Sequence, residues 1–369
     1  MRVATILGTR PEVIKLAPVV AELRRNPETE CMLVATGQHR ELLDQMLEQF
    51  ELETDVDLGV MTPEQRLSDL TAELVRGLGN TLAAIRPDWV LVQGDTSTTL
   101  CGALAAFYES VPVAHVEAGL RSGDDRSPFP EEANRRLVTC LTDLHLCPTA
   151  GSAANLVAES VPAERIRVTG NTVIDALLWA VERARALPPP VPRIRPQRIL
   201  LTLHRRESHG EAMRNVCEVV REIARRGDTE VVFPVHRNPA VRDVVLPALT
   251  GLDGVHLCDP LDYLDLVHVL DSCDLVLTDS GGLQEEAPTL GKPVLVLRDT
   301  TERPEAVAAG VARLVGTTPT VVHAAVSTLL DDRRAYQAMA QPQNPFGDGR
   351  ASARVVTALA EGRILRQVA

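Results

Sequence analysis

This sequence predicts an α/β protein made of two doubly wound domains, and three observations carry that expectation. Short apolar runs of strand length alternate with amphipathic stretches of helical length. A proline-rich interruption divides the chain, and the same rhythm restarts beyond it. Glycine-bearing polar clusters fall directly after the apolar runs, where open α/β sheets bind their ligands.

Val3–Leu7 is the first such run, followed by Gly8-Thr9-Arg10-Pro11 and a helical stretch to about Arg25. Met32–Ala35 reads as the next strand. Trp89–Val92 leads through Gly94-Asp95-Thr96 into a small-residue helix, Thr98–Tyr108, and Val113–Val116 runs into Glu117-Ala118-Gly119. Leu144–Cys147 and Ile166–Val168 complete the first half. Strands alternating with helices imply parallel sheets covered on both faces. Pro188-Pro189-Pro190-Val191-Pro192 reads as a stiff linker, because proline fixes φ and lacks an N–H donor. Ile199–Leu203, Val231–Phe233, Val255–Leu257, Leu275–Leu277 and Val294–Leu297 then repeat the pattern. The expected division is 1–170 and 171–350, with a C-terminal helix at about 351–369 packing back on the first domain. Two such domains facing one another would enclose a cleft.

Bulk properties narrow the function. A chain of 369 residues is long for one core and favours two domains. The formal net charge of −12 argues against a general nucleic-acid binder or a membrane-surface protein, while leaving room for a local basic cluster that binds an anion. No signal peptide or span-length apolar stretch is evident, so a soluble, cytoplasmic protein is expected. The seven cysteines include no CxxC pair and mostly sit in apolar runs. They read as buried thiols of a reducing compartment.

The clusters after the strands are the candidate chemistry. Gly8-Thr9-Arg10-Pro11-Glu12 opens a helix whose free N–H groups face an anion, with Arg10 and Lys15 adding positive charge; an ordinary strand-to-helix turn fits it as well. Asp95 and Glu117 are acids placed after strands, suited to proton transfer, although Asp95 would also serve as a helix cap. Glu131, Glu132 and Arg135 lie in Pro128-Phe129-Pro130-Glu131-Glu132-Ala133-Asn134-Arg135. There the acids complement a helix dipole, and Glu131 and Arg135 have the spacing of a surface ion pair. His204 and His236 each follow an apolar strand and suit diphosphate binding or proton transfer. Ser280-Gly281-Gly282 is the strongest local signal, since such a turn brings backbone N–H groups close to a phosphate. Glu286, one turn on, would accept from ribose hydroxyls, and Arg298 and Arg303 follow the next strand. No HExxH, metal-spaced acid set or Cys/His nucleophile pair is present, which points to metal-free acid/base chemistry.

Taken together, the segments Leu7–Glu12, Gln93–Thr99, His115–Asp124, Pro128–Arg135, Gly170–Leu177, His204–Ser208, Pro234–Pro239, Thr278–Pro288 and Arg298–Ala306 resemble bacterial UDP-N-acetylglucosamine 2-epimerases of the non-hydrolysing branch. The likeness covers nearly the whole chain, in order. It implies a GT-B glycosyltransferase-like architecture, a homodimer, and no nicotinamide or obligatory metal. It also implies reversible conversion of UDP-N-acetylglucosamine to UDP-N-acetylmannosamine by loss and re-addition of UDP through a glycal intermediate. Carried onto this chain, Arg10, Lys15, His204, His236, Ser280, Gly281 and Gly282 would hold the diphosphate. Asp95, Glu117 and Glu131 would move protons or stabilise the cationic intermediate, with His204 counted among the catalytic groups. Glu286, Arg135 and Arg303 would fix the ribose, the sugar or neighbouring charges. Gln38, His39, Glu132 and Arg205 match positions associated with a second, regulatory UDP-N-acetylglucosamine. Leu203 and Leu266 depart from the family pattern. A hydrolysing epimerase that releases N-acetylmannosamine and UDP, a glycosyltransferase of the same fold, and a non-catalytic UDP-sugar sensor are the alternatives.

Overall fold

The computed structural model describes residues 1–37, 40–62, 65–205, 209–341 and 344–368, with side chains described for these except 40–42 and 364–368. The chain forms two compact units. One contains Met1–Ala176 and Phe346–Ala369, and the other Leu177–Pro345.

In the first unit the strands are β1 (Arg2–Leu7), β2 (Glu30–Ala35), β3 (Val56–Asp57), β4 (Trp89–Gln93), β5 (Val113–Val116), β6 (Leu144–Cys147) and β7 (Ile166–Val168). Between them run α1 (Arg10–Arg25), α2 (Arg40–Gln49), α3 (Leu67–Ile85), α4 (Ser97–Tyr108), α5 (Glu131–Leu141) and α6 (Ala150–Ala158). The sheet order is β3-β2-β1-β4-β5-β6-β7, and its pairings are parallel. Continuous burial along β4, β5 and β6 explains why these strands read as unbroken apolar runs rather than alternating ones. Val90 and Val92 of β4 and Val113 of β5 join Leu70, Leu74, Leu78 and Leu82 of α3 in one apolar core, while Cys147 of β6 packs with Ala118 and Leu156 in a smaller one.

The chain passes to the second unit within α7 (Thr172–Ala184). The proline run therefore lies inside the second unit and not at its border. Arg185 and Arg193 pin its flanks by pairing with Asp271 and Asp274 of the same unit. The second sheet comprises β8 (Gln197–Thr202), β9 (Thr229–Pro234), β10 (Val255–Cys258), β11 (Leu275–Thr278), β12 (Val294–Val296) and β13 (Ala312–Leu314), in the order β10-β9-β8-β11-β12-β13 and again parallel. Helices α8 (Glu211–Ala224), α9 (Pro239–Leu249), α10 (Tyr263–Ser272), α11 (Leu283–Thr289), α12 (Pro304–Ala308), α13 (Pro319–Asp331) and α14 (Arg333–Met339) complete it. Finally α15 (Ala351–Val368) returns to α1 and β6 of the first unit. Its opening amides, from Ala351 and Ser352, are satisfied by the Asp175 carboxylate.

The order of each sheet reverses once, between β1 and β4 in the first and between β8 and β11 in the second. Gly8–Glu12, Gly94–Thr96, His204–Arg205 and Asp279–Gly282 all follow strands that flank a reversal, the crevice position of open α/β sheets. All seven cysteines are free, and burial pushes the Cys147 and Cys273 thiols up to about 12. Among the described residues no helix is long and apolar enough to cross a membrane.

Candidate active site

In the first unit the chemistry converges on Glu117. It follows β5 with φ at 64°, in the left-handed region that non-glycine residues avoid. Glu51, Arg86, Ser110 and Ser160 share this conformation, but all four are exposed residues following a helix, whereas Glu117 is buried. A conformation costing on the order of 1–3 kcal/mol in a buried acid marks a position where geometry matters more than local comfort. The Glu117 carboxylate takes Lys15 Nζ at 2.5 Å on Oε1, Asn171 Nδ2 at 3.3 Å on the same oxygen, and the Gln93 amide on Oε2. Lys15 thus contacts the carboxylate rather than acting solely as the phosphate cation expected from the sequence. Two glycines make the arrangement. Gly94 has φ at 75° and faces Glu117 Oε2, and Gly119 has φ at 87° where an added methyl would strike the Ser152 carbonyl.

The turn after β1 differs from expectation. The amides of Gly8 and Thr9 both donate to Glu12 Oε2, at 3.0 and 2.7 Å. Glu12 also accepts from Thr96 and Thr99, and burial raises its carboxyl above the usual range. The chain's own carboxylate therefore occupies amides that sequence reasoning offered to a phosphate. Arg10 opens α1 half-buried beside them.

Asp95 is not the cap of α4. Thr96 fills that role by accepting from the Thr99 amide. The Asp95 carboxylate instead meets Arg135 Nη2 at 2.5 Å, and its carbonyl takes the Asn134 amide at 2.8 Å. Arg135 reaches back to Glu132 at 2.9 Å and does not form the anticipated pair with Glu131. Glu132 is fully buried and also accepts the Ser122 amide, so its carboxylate braces Arg135. Glu131 has one buried oxygen, Oε2, with no hydrogen-bond partner. His115 donates from Nε2 to the Gly94 carbonyl at 2.7 Å, and burial drops its pKa to about 4, so the ring is neutral.

In the second unit Asp279, fully buried after β11, organises the turn after β8. It accepts the amides of His204 and Arg205 and contacts His204 Nδ1 at 3.0 Å. The ring of His204 is thereby oriented with Nε2 left outward. His236 Nδ1 accepts the Asn238 amide at 3.1 Å, which places its proton on Nε2. Burial, with His204 and His209 nearby, lowers its pKa. Gly281 and Gly282 have negative φ, and a methyl on either would meet only ordinary contacts of 3.6–4.0 Å. The fold itself does not demand glycine there. Arg205 and Arg298 both pair with Glu302, at 3.0 Å each. Although burial opposes it, these two guanidiniums hold the Glu302 carboxyl at about 2. Arg303 pairs with Glu285, and Glu286 accepts from the Tyr263 hydroxyl at 3.4 Å. Leu203 is part of the unit's apolar core. Gln38 and His39 lie outside the described residues.

Sequence reasoning missed Glu12, Gln93, Asn171, Asp279 and Glu302 as members of these clusters. Each stood inside or beside a quoted motif, but its partner is set by tertiary structure.

Two parallel sheets with acids, histidines and a glycine turn at their reversal points define an α/β enzyme of the GT-B-like class. A family model described as UDP-N-acetylglucosamine 2-epimerase matches residues 21–360, and the chain belongs to that family of isomerases. It is 50% identical over 374 residues to UDP-N-acetylglucosamine 2-epimerase of Escherichia coli K12, covering 99% of this chain and 100% of that protein. It is 48% identical to the Salmonella typhimurium enzyme of the same name at the same coverage. Among solved structures, UDP-GlcNAc 2-epimerase from Neisseria meningitidis bound to UDP-GlcNAc superposes with a TM-score of 0.90 at 44% identity, over 98% of this chain and 100% of that one. The Methanocaldococcus jannaschii enzyme in complex with UDP-GlcNAc and UDP gives 0.80 at 32% identity, over 98% and 100%.

Proposed function

We propose that this isomerase interconverts UDP-N-acetylglucosamine and UDP-N-acetylmannosamine by elimination and re-addition of UDP, without releasing free sugar, and that it acts as a cytoplasmic homodimer. The C2 proton is not beside a carbonyl, so direct deprotonation is difficult. Cleavage of the C1–O bond sends its electron pair out with UDP and leaves C1 cation-like, which acidifies the C2 proton. A carboxylate takes that proton, and the C2–H electron pair becomes the C1=C2 bond of a glycal. Protonation of C2 on its opposite face restores the cation at C1, and the UDP oxygen adds back.

The observation that carries this reading is Glu117, a buried, ion-paired carboxylate in a left-handed backbone at the end of β5. Asp95 and Glu131 complete the acids of that unit; together the three move protons and stabilise the positive charge. Arg135, gripping Asp95, acts on the sugar side. In the second unit, Gly281 and Gly282, glycines that the fold does not require, fit a backbone that a phosphate must approach. Ser280, His204 and His236 complete the diphosphate cradle, with Arg10 and Lys15 supplying charge to the departing UDP. Glu286 receives the ribose hydroxyls, and Arg303 holds Glu285 beside it. Of the positions assigned to a second UDP-N-acetylglucosamine, Arg205 stands next to Gly281 while Glu132 acts through Arg135. Gln38 and His39 complete that set.

The test is incubation with UDP-N-acetylglucosamine in deuterated water, followed by proton NMR. The expected result is loss of the C2 proton signal together with UDP-N-acetylmannosamine. Free N-acetylmannosamine plus UDP would replace this reading with the hydrolysing one. Nucleotide binding without exchange would reduce the protein to a UDP-sugar sensor.

A further inference from the structure

Among the three acids, Glu117 alone has both oxygens engaged by uncharged amide side chains as well as by a cation. Gln93, the last residue of β4, directs its amide nitrogen to Oε2, and Asn171 directs its own to Oε1 at 3.3 Å. Both side chains are buried, at 3% exposure, so neither is there to be hydrated. Asn171 is fixed in turn. Its Oδ1 accepts the Val173 amide at the start of α7, and its own amide donates to the Phe346 carbonyl at 2.7 Å, where the chain re-enters the first unit. An amide nitrogen only donates, and a protonated carboxyl would turn one oxygen into a donor facing another donor. Three donors from three segments therefore select the anion.

We infer that Gln93 and Asn171 are positioning residues for the epimerisation, holding Glu117 as a carboxylate anion in its left-handed backbone so that, starting from UDP-N-acetylglucosamine, it enters the reaction as proton acceptor or charge stabiliser and returns a proton only in the reverse direction. The inference rests on the function proposed above. The surroundings of Glu117 agree with it. Lys15 from α1 is the cation against it, and His115 from its own strand is neutral. Asp95 and Arg121 also act on His115, and Asp95 is neutralised by Arg135. In that direction the donor to C2 falls to Glu131, which keeps a buried oxygen with no hydrogen-bond partner, whereas the Asp95 carboxylate is ion-paired with Arg135.

Two substitutions separate positioning from structure. Asn171→Asp keeps the oxygen that caps α7 but replaces the donor with a like charge. Gln93→Met keeps bulk and removes the donor from the other oxygen. For each we expect kcat to fall about tenfold or more with KM within about twofold, since the contact serves the reacting group rather than substrate binding. The acid limb of the kcat profile should also move to higher pH by about one unit or more, because a carboxylate that loses donors is easier to protonate. A mere loss of stability would lower the melting temperature and leave the pH limb in place. Unchanged kcat and an unmoved acid limb in folded variants would overturn the inference. Should one variant fail to fold, the other decides, because each addresses a different oxygen. Wild-type protein run alongside in deuterated water keeps the two claims apart: no C2 exchange there removes the epimerase reading itself, whereas exchange with unaltered variants removes only this one.

Discussion

Among the buried carboxylates that meet a cation, two invite comparison. Glu117 meets Lys15 at 2.5 Å after β5, and Glu230 meets Arg198 at 2.6 Å between β9 and β8. By distance and charge they are the same interaction, yet their settings differ in three respects. Glu230 and Arg198 are paired in register near the N-terminal ends of their strands, in ordinary strand backbone. Glu117 lies past the C-terminal end of its strand, in a left-handed backbone. Side-chain exposure is 0% and 1% for Glu230 and Arg198, but 6% and 17% for Glu117 and Lys15. Finally, Glu230 is sealed by the Ile194 amide and His256, whereas Glu117 is held by the Gln93 and Asn171 side-chain amides and faces Gly94. Under the proposed function, the pair at the N-terminal end of its strands holds the fold, and the pair at the C-terminal end, more exposed and in a left-handed backbone, serves the chemistry.

Substitution of each acid tests that division. Glu117→Gln should cut kcat by roughly 10²–10⁴, the span typical of a lost acid/base group. Its stability should change by only about 1–2 kcal/mol, because Lys15 reaches solvent. Steady-state kinetics beside urea unfolding reads both. A kcat within about threefold of wild type would place Glu117 with the structural pairs.

Glu230→Ala should do the reverse. It strands Arg198 in the interior, where an uncompensated charge costs about 3–5 kcal/mol. In the intact protein, burial opposes ionisation of Glu230, but the Ile194 amide and Arg198 prevail and hold its carboxyl below the usual range. The urea midpoint should fall sharply while kcat per folded molecule stays unchanged. A loss of kcat in the folded fraction would erase the contrast.

How far the sequence foretold this contrast depends on the range of each interaction. The strands Val113–Val116 and Leu144–Cys147 were legible residue for residue, because a buried parallel strand is a short apolar run bounded by polar turns. β3 and β13 were not, since a two-residue and a three-residue edge strand, each partly exposed, carry no such run. The acids after strands and the Ser-Gly-Gly turn were legible for the same reason as the strands, their position being local. Which charges meet was not. Lys15 lies 102 residues from Glu117, and Arg135 lies 40 from Asp95. Sequence spacing favoured Glu131 for Arg135, whereas the fold gives it Glu132, one position closer. Asn171 and Asp279 act through donors and acceptors that only the sheet order brings together.

The acid side of the stability curve offers the finest test, because it should act on the first unit before the second. His115 and His145 face each other in register on β5 and β6, both nearly inaccessible. Burial lowers their pKa values from 6.5 to about 4 and about 3, with the neighbouring His115 a further cause for His145. Folded, both stay neutral through pH 5; unfolded, both take up a proton near 6.5. The unfolded chain therefore binds more protons in the window from about 6.5 down to 4, and stability must fall as pH falls through it. Each group contributes a slope of about 1.4 kcal/mol per pH unit there. His145→Leu removes one of the two and should flatten the curve by that amount. Amide hydrogen exchange at pH 5 should show β5 and β6 losing protection before β8 and β9, since Glu230 on the second sheet is held ionised by a permanent guanidinium. If the second sheet opens first, the sealed pair is not the stronger element, and the distinction between the two ends of the sheets fails.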